Sequence, residues 1–178
     1  MSGRRLRTPS QTIGPFFGFG LLWPRSNEVV SEETLGTFRI SGRLLDGHDA
    51  PVSDGLIETW QIGPRWVPRP FTGFGRCATD PAGRFTIVTC KPDAVPDADG
   101  VEQAPHLAVS VFARGLLRRA VTRIYFPDEE VANRHDPVLS AIVDAAARST
   151  LIASHAEDGG YNFDIRLQGE RETVFFEV

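Results

Sequence analysis

The chain has 178 residues and a mass of 19.6 kDa, which suits a single domain with a full core. Its formal net charge is −4 and no basic stripe stands out, which argues against nucleic acid as its main partner. No apolar stretch approaches the roughly 18–20 residues that cross a bilayer, so we expect no membrane contact. The basic N-terminus leads into polar sequence rather than the apolar core of a secretory signal, and a cytoplasmic protein is expected.

Residues 1–35 predict an N-terminal arm and connector, and residues 36–178 predict a β-sandwich domain. Residues 8–24 hold three phenylalanines and a tryptophan, and are too apolar to stay in solvent. Their glycines and prolines also argue against a helix or a regular strand. An irregular arm of this kind covers either its own domain or a neighbouring subunit, and the residues alone leave both open. Residues 25–35 are polar and acidic, which predicts a surface connector.

The first half of the domain predicts short strands separated by turns. These strands cover residues 37–45, 56–61, 73–79 and 83–89. The first ends at the turn signal Asp46–Gly47. The last two predict a hairpin that turns at Asp80–Gly83, whereas the three prolines of residues 63–70 indicate a loop.

The second half is organised around residues 104–113, an apolar run with the length and β-branched content of a strand. Residues 120–126 predict its hairpin partner. A basic connector containing Arg114, Arg118 and Arg119 joins the two. Most such clusters are solvated, although a subunit contact is the alternative.

The remaining residues predict little helix. Asp136 followed by Pro137 is typical of an N-cap with proline at the first helical position, and predicts a helix over residues 138–146. Further strands are predicted over residues 151–156 and 161–168, as a hairpin, and over residues 172–178. Many short strands with little helix indicate an all-β fold, an antiparallel β-sandwich with short helices and an irregular N-terminal arm.

The residues alone predict no active site. Four histidines are scattered along the chain without an HxH or HExxH pattern: His48, His106, His135 and His155. Cys77 and Cys90 form no CxxC and are expected to be reduced strand residues. Among the histidines only His106 begins a buried strand, where a backbone-bonded imidazole is the commoner role.

Several stretches of the chain carry a family resemblance when they are taken together and in order. They are Thr8–Phe17, Gly42–Gly47, Pro51–Val52, Ile57–Gln61, Gly73–Arg76, Thr79–Asp80, Gly83–Phe85, Thr89–Pro92, His106–Ala113 and Ile124–Phe126. The set resembles the intradiol ring-cleavage dioxygenases over nearly the whole chain from Thr8. Its order is far more specific than any single stretch.

The resemblance implies a β-sandwich that holds a non-haem ferric ion through two tyrosines and two histidines. The histidines come from an HxH that begins at the position of His106, but the second position here is Ala108. Val95 stands in place of one tyrosine, and the loop after Trp60–Gln61 lacks the other. Three of the four ligands are missing. Because a lone imidazole does not hold Fe(III), which prefers anionic oxygen donors, we expect no metal on this chain and a structural role for His106.

This pattern resembles the metal-free α subunit of a two-subunit intradiol enzyme. The resemblance implies an iron-bearing β subunit as the partner, with non-haem Fe(III) bound by that subunit and not by this chain. It also implies a catechol and O2 as substrates, and a higher αβ oligomer. The expected reaction cleaves protocatechuate between its hydroxyls to 3-carboxy-cis,cis-muconate, a step of the β-ketoadipate pathway of aromatic catabolism.

Four substrate-binding candidates follow from the resemblance by position, and no catalytic residue is expected on this chain. Thr12, Gly14 and Pro15 of the arm are expected to line the substrate cleft, and Arg134 to make a charged contact beside it. Gly14 allows close approach of the backbone to an aromatic ring, Pro15 fixes a turn, and Thr12 offers a hydroxyl or an amide. Interface packing is the alternative role for all four.

Two other functions stay open at this point. One is a non-catalytic β-sandwich that binds a ligand or a partner. The other is a divergent metalloenzyme that recruits His106 with another residue. The iron content of the chain, alone and with its partner, separates them.

Overall fold

The computed structural model describes residues 10–12, 14, 17–67 and 69–177. The described strands are β1 (Thr37–Leu45), β2 (Leu56–Trp60), β3 (Phe74–Ala78), β4 (Arg84–Cys90), β5 (Val95–Pro96), β6 (Glu102–Gln103), β7 (His106–Phe112), β8 (Ala120–Tyr125), β9 (Ser154–His155), β10 (Tyr161–Asn162) and β11 (Ile165–Arg166). The described helices are α1 (Phe17–Leu21), α2 (Glu130–His135), α3 (Pro137–Ala141) and α4 (Ala145–Ser149). None of these helices is long and apolar enough to cross a membrane.

The first sheet is built on β1, whose predicted bounds are confirmed. Its apolar side chains Ile40 and Leu44 are fully buried, while polar residues alternate with them. β1 pairs antiparallel with β4 along one edge and parallel with the short β10 and β11 along the other. β9 and β10 pair antiparallel, which confirms the core of the predicted C-terminal hairpin.

The second sheet has the order β3-β2-β7-β8 and is antiparallel throughout. The predicted hairpin of β7 and β8 is confirmed. Leu107, Val109 and Val111 of β7 point into the core between the two sheets. Because side chains alternate along a strand, His106 and Ala108 lie on the opposite face, here called the outer face. The antiparallel β-sandwich predicted from the sequence is confirmed.

The predicted hairpin over residues 73–79 and 83–89 is wrong in its pairing. β3 bonds to β2, while β4 bonds to β1 in the other sheet. The turn itself lies where it was predicted, since the Asp80 carboxylate accepts from the amides of Ala82 and Arg84 at 2.8 and 2.9 Å. The chain crosses between the sheets here because β1 offers β4 a partner along its whole length.

The predicted helix over residues 138–146 is divided in two. Asp136 caps α3 as predicted, since its carboxylate accepts from the amides of Val138 and Leu139 at 2.9 Å. The backbone turns extended at Ile142, and Asp144 then caps α4. A second side-chain cap within the run ends one helix and starts another.

Two further predictions about secondary structure are corrected. The arm contains one short helix, α1, although its glycines argued against any helix. Residues 172–177 form no regular strand. The amide of Thr173 donates to the Arg166 carbonyl at 3.0 Å and that of Phe176 to the Val121 carbonyl at 2.8 Å. Those carbonyls belong to different sheets, so the segment cannot form a ladder with either one.

The connector packs on the sandwich more closely than its polar composition suggests. Val29 and Val30 are buried, and the Val29 amide donates to the Val88 carbonyl at 2.8 Å. Their burial explains how so short a segment is held against β4. The division of the chain between residues 35 and 36 stays a prediction.

Candidate functional site

The positions that match the iron ligands of the resembled family lie on the second sheet or beside it. His106 begins β7 and Ala108 follows on the same face. Val95 lies on β5, opposite Gln103 of β6, which leads directly into β7. Trp60, after which the other tyrosine is expected, lies directly opposite Ala108. The fold therefore assembles the site although the sequence has lost its donors.

His106 is held by the backbone. Its Nδ1–H donates to the Ala104 carbonyl at 2.7 Å, and its ring packs against Tyr125 with 5.3 Å between ring centres. Burial lowers the pKa of His106, and the nearby charge of Arg123 lowers it further, although the bond to Ala104 opposes both. The imidazole is therefore neutral at pH 7 and structurally engaged.

Arg123 supplies a fixed positive charge at this position. It lies directly opposite Ala108 in the register of β7 and β8. Its Nη1 donates to Gln103 Oε1 at 2.9 Å and to Tyr125 Oη at 3.0 Å. The guanidinium carbon lies 5.8 Å from the centre of the Phe176 ring. Two oxygens and an aromatic face thus surround a cation beside the positions that match the metal ligands of the resembled family.

A buried carboxylate completes this arrangement. The Tyr125 hydroxyl donates to Asp136 Oδ1 at 3.2 Å, and the Ala104 amide donates to Asp136 Oδ2 at 2.8 Å. Asp136 is fully buried. A buried carboxylate needs several donors and a nearby positive charge, and Arg123 provides that charge through Tyr125. Burial raises the pKa of Tyr125, so its hydroxyl stays protonated and donates.

A ferric ion does not fit the residues of this chain. The side chains of Val95 and Ala108 have no donor atom, so Nε2 of His106 is the one ligand atom left at these positions, and Nδ1 of that ring is bonded to the Ala104 carbonyl. The described residues contain no group of three His, Cys, Asp or Glu side chains that could hold a metal. The charged group that faces these positions is the guanidinium of Arg123, which repels a metal ion.

One described residue of the arm, Thr12, lies at the turn of the β7–β8 hairpin. Thr12 Oγ1 accepts from the Gly115 amide at 2.8 Å. The Gly14 carbonyl accepts from the Phe17 amide at 3.3 Å, and a Cβ added at Gly14 meets no described atom within 4 Å. The space beside Gly14 is therefore open as far as the described residues extend. Pro15 lies outside the described residues.

Arg134 lies on α2, beyond the opposite end of the same hairpin. It is exposed, its Nη2 bonds to Glu130 Oε1 at 2.7 Å, and it borders a cavity of about 360 Å³. The length of β8 separates it from the hairpin turn at Gly115, roughly 20 Å for six residues.

Sequence reasoning missed Arg123 and Gln103, and recognised Asp136 only as a helix cap. An arginine in a strand resembles any half-exposed strand residue, so its type gives no signal. The register does, because a hairpin between residues 104–113 and 120–126 puts Arg123 close to Ala108. Arg123 could have been found by asking which residue lies opposite the lost ligand position, Ala108, in the predicted hairpin.

An aromatic cluster lies on the outer face beside this site. Trp60 is 52% exposed and Trp23 49%, and the Phe74 ring lies between them, 4.5 Å and 6.1 Å away from centre to centre. Arg76 covers Trp23 and Phe74 and pairs with Glu58. Large aromatic side chains left half in solvent are typical of surfaces that contact another protein.

Comparison with known sequences gives matches over nearly the whole chain. A family model described as "Dioxygenase" matches residues 26–169. The chain is 38% identical to the protocatechuate 3,4-dioxygenase alpha chain of Pseudomonas putida, over 96% of both chains. It is 37% identical to the alpha chain of Burkholderia cepacia, over 97% of this chain and 98% of that one. The beta chain of Burkholderia cepacia is 34% identical, over 83% of this chain and 71% of that one.

Solved structures share the fold at lower identity. The dioxygenase domain of a carbohydrate-binding fusion protein from Streptomyces sp. SirexAA-E has a TM-score of 0.56 and 22% identity, over 95% of this chain and 96% of that one. Hydroxyquinol 1,2-dioxygenase from Pseudomonas putida DLL-E4 has a TM-score of 0.59 and 18% identity, over 92% of this chain and 68% of that one. The family model and the two alpha chains show that the chain belongs to the intradiol ring-cleavage dioxygenases, whose fold these structures share.

Proposed function

We propose that this chain is the metal-free alpha subunit of a protocatechuate 3,4-dioxygenase. The reaction is cleavage of protocatechuate by O2 between its two hydroxyls, which gives 3-carboxy-cis,cis-muconate. Similarity to two alpha chains over nearly their whole length supports this proposal. The match to a beta chain is weaker and covers less of that chain, which favours the alpha role.

The iron of the enzyme is held by the beta subunit in this proposal. The family is iron-dependent. One observation carries the assignment to the partner: the ligand positions of this chain are Val95, Ala108 and a backbone-bonded His106, with Arg123 facing them. A site with no anionic donor and one permanent cation does not retain Fe(III).

The arm is the part of this chain that reaches the partner's substrate. Thr12 is anchored to the hairpin turn through the Gly115 amide, and Gly14 is open beyond it. Thr12, Gly14 and Pro15 then form one wall of the cleft, orient the aromatic ring and exclude water from it. Arg134 makes a charged contact at another edge of the cleft.

The outer face is the surface that contacts the partner. Trp23 and Trp60 offer aromatic area next to the degenerate site, and residues 21–23 of the arm bind there, since Arg76 Nη1 donates to the Leu21 carbonyl at 2.7 Å. Aromatic residues of this kind dominate the energetics of many interfaces. Pairs of the two subunits assemble into a larger oligomer in the cytoplasm.

Expression of the full chain alone and together with its partner tests the proposal. Metal analysis and O2 consumption with protocatechuate should show an iron-free, inactive chain alone and an iron-containing, active complex. Stoichiometric iron on the isolated chain would contradict the assignment of the metal to the partner. A complex that cleaves another catechol would overturn only the substrate. A chain that forms no complex, and has no activity with any partner, would favour the non-catalytic binding module.

A further inference from the structure

Each of the three ligand positions that can be matched to the family faces a member of one hydrogen-bonded group. Ala108 is paired with Arg123, His106 with Tyr125, and Val95 with Gln103. Arg123 Nη1 bonds to both of the other two side chains, at 2.9 Å and 3.0 Å. Residues paired directly across strands have Cβ atoms about 4.5–5.5 Å apart. The group therefore covers these three positions of the degenerate site.

We propose that the guanidinium of Arg123 takes the place of the metal cation in this chain. It joins β6 to β8 through side-chain oxygens, as a metal joins its ligands, and its charge keeps metal ions out of the site. Loss of the ligands and gain of the cation are then two separate barriers to metal binding.

The chemistry of the group fits a permanent cation. Arginine has only donors and stays charged at any physiological pH, and Gln103 Oε1 and Tyr125 Oη both present it with acceptors. Asp136 lies on the far side of Tyr125 and supplies the balancing negative charge from a fully buried position. The Phe176 ring closes one side of the guanidinium. Every group that contacts Arg123 here is an acceptor or an aromatic ring.

Repulsion of metal ions by Arg123 has a consequence when the second histidine of the HxH is restored. Ala108→His recreates an HxH with His106, two imidazoles on one face of β7. Two such histidines bind divalent transition metals when nothing opposes them. With Arg123 directly across the strand, a divalent ion would lie beside a fixed positive charge in a partly buried place. We therefore expect the restored pair to bind metal poorly until that charge is removed.

The test compares full-length Ala108→His with three double variants that add Arg123→Gln, Arg123→Lys or Arg119→Gln. Arg119 lies in the exposed connector of the same hairpin. Arg119→Gln therefore removes one positive charge, as Arg123→Gln does, but at a distance from the site. Co²⁺ alone is the probe, measured by equilibrium dialysis and by its visible absorption. If the chain is soluble only with its partner, the complex is used and cobalt is counted beyond the partner's iron. The test does not depend on the proposed substrate or activity.

Ala108→His with Arg123→Gln should bind one Co²⁺ per chain at least about tenfold more tightly than the other three proteins. Equal affinity in all four, including no binding in any, would overturn the proposal. So would equally tight binding with Arg123→Lys, because the barrier would then be size rather than charge. Melting temperatures of the single variants test the structural half: Arg123→Lys should stay folded to a higher temperature than Arg123→Gln, and equal losses would refute it.

Discussion

The fold keeps the imidazole of His106 neutral, so His106 makes the stability of the folded chain depend on pH. Its folded pKa lies below the ordinary value of about 6.5 because the ring is buried beside Arg123. As the pH falls through about 6.5, the unfolded chain takes up a proton before the folded chain does. The stability linked to His106 is thus complete above that pH and is lost as the pH falls toward the folded pKa.

His106→Gln should therefore reduce the loss of melting temperature between pH 7.5 and pH 5.5. Calorimetry at several pH values measures this loss. His48→Gln is the matched control, since His48 is exposed in a turn. A pH dependence that is the same in the wild type and in His106→Gln would show that the imidazole is not the group responsible.

Gly14 carries the proposed contact between the arm and the substrate. Gly14→Val should lower kcat/KM of the complex at least about tenfold, or about 1.4 kcal/mol, because a branched side chain fills the space where the ring is to lie. The iron content should not change, since no ligand is touched. Steady-state kinetics and metal analysis of the same preparation measure both quantities.

Gly20→Val is the control for this prediction, because a Cβ added at Gly20 also meets no described atom. It should leave kcat/KM near the wild-type value. Equal losses in Gly14→Val and Gly20→Val would mean that the arm acts as a whole and that Gly14 has no special place in the cleft.

At the scale of elements, Asp136 joins α3 to the strands of the degenerate site. Its carboxylate accepts from the first amides of α3, from the Ala104 amide before β7 and from the Tyr125 hydroxyl of β8. Asp136→Ala removes the cap and leaves the buried Ala104 amide without a partner. We expect a loss of about 2–4 kcal/mol of unfolding free energy.

Chemical denaturation measures this loss, and Asp144→Ala provides the comparison. Asp144 caps α4 in the same way, but its side chain accepts only from Ala146 and is exposed. Its removal should cost about 0.5–1 kcal/mol. Similar values for the two variants would show that the bonds of Asp136 outside the cap contribute nothing.

The elements also show how far sequence patterns extend. The bounds of β1 could be predicted because alternation of side chains and the Asp46–Gly47 turn are local signals. The partners of β3 and β4 could not, because the choice between a hairpin and a crossover depends on what β1 and β2 offer elsewhere in the chain. The final segment has the β-branched and aromatic residues that are typical of a strand, but its backbone bonds go to two sheets and it forms no ladder with either.

The same division holds for the site. Loss of the ligands was visible in the sequence, since Ala108 interrupts the HxH, Val95 stands in place of one tyrosine and the loop after Trp60–Gln61 has none. The arrangement around Arg123 includes the bond to Gln103, 20 positions away, and the bond between Ala104 and Asp136, 32 positions apart, so no single stretch contains it. The loss of metal binding could therefore be predicted from the sequence, whereas the hydrogen-bonded group that replaced the ligands could not.

At the scale of the whole molecule, the outer face is the proposed surface for the partner. Trp60→Ala should weaken the complex at least about tenfold in Kd, because an aromatic side chain near the centre of an interface commonly contributes 2 kcal/mol or more. Sedimentation or calorimetric titration of the two subunits measures this change.

Val143→Ala is the control, because Val143 is 94% exposed and lies between α3 and α4. It should leave Kd unchanged. The melting temperature of Trp60→Ala alone must also be recorded, since Trp60 packs on Phe74. Unchanged association in Trp60→Ala would place the partner on another surface.

One edge of β1 pairs with β4 and the other with β10 and β11. The ribosome synthesises β4 well before β10 and β11. During synthesis β4 is complete by residue 90, whereas the second edge has no strand to pair with until residues 161–166 have left the ribosome. For the interval between them, a nine-residue strand with one apolar face presents unpaired backbone groups to other nascent chains. Residues 161–166 therefore close the edge of β1 through which nascent chains could aggregate. A chain that ends before Tyr161 would leave this edge unpaired permanently.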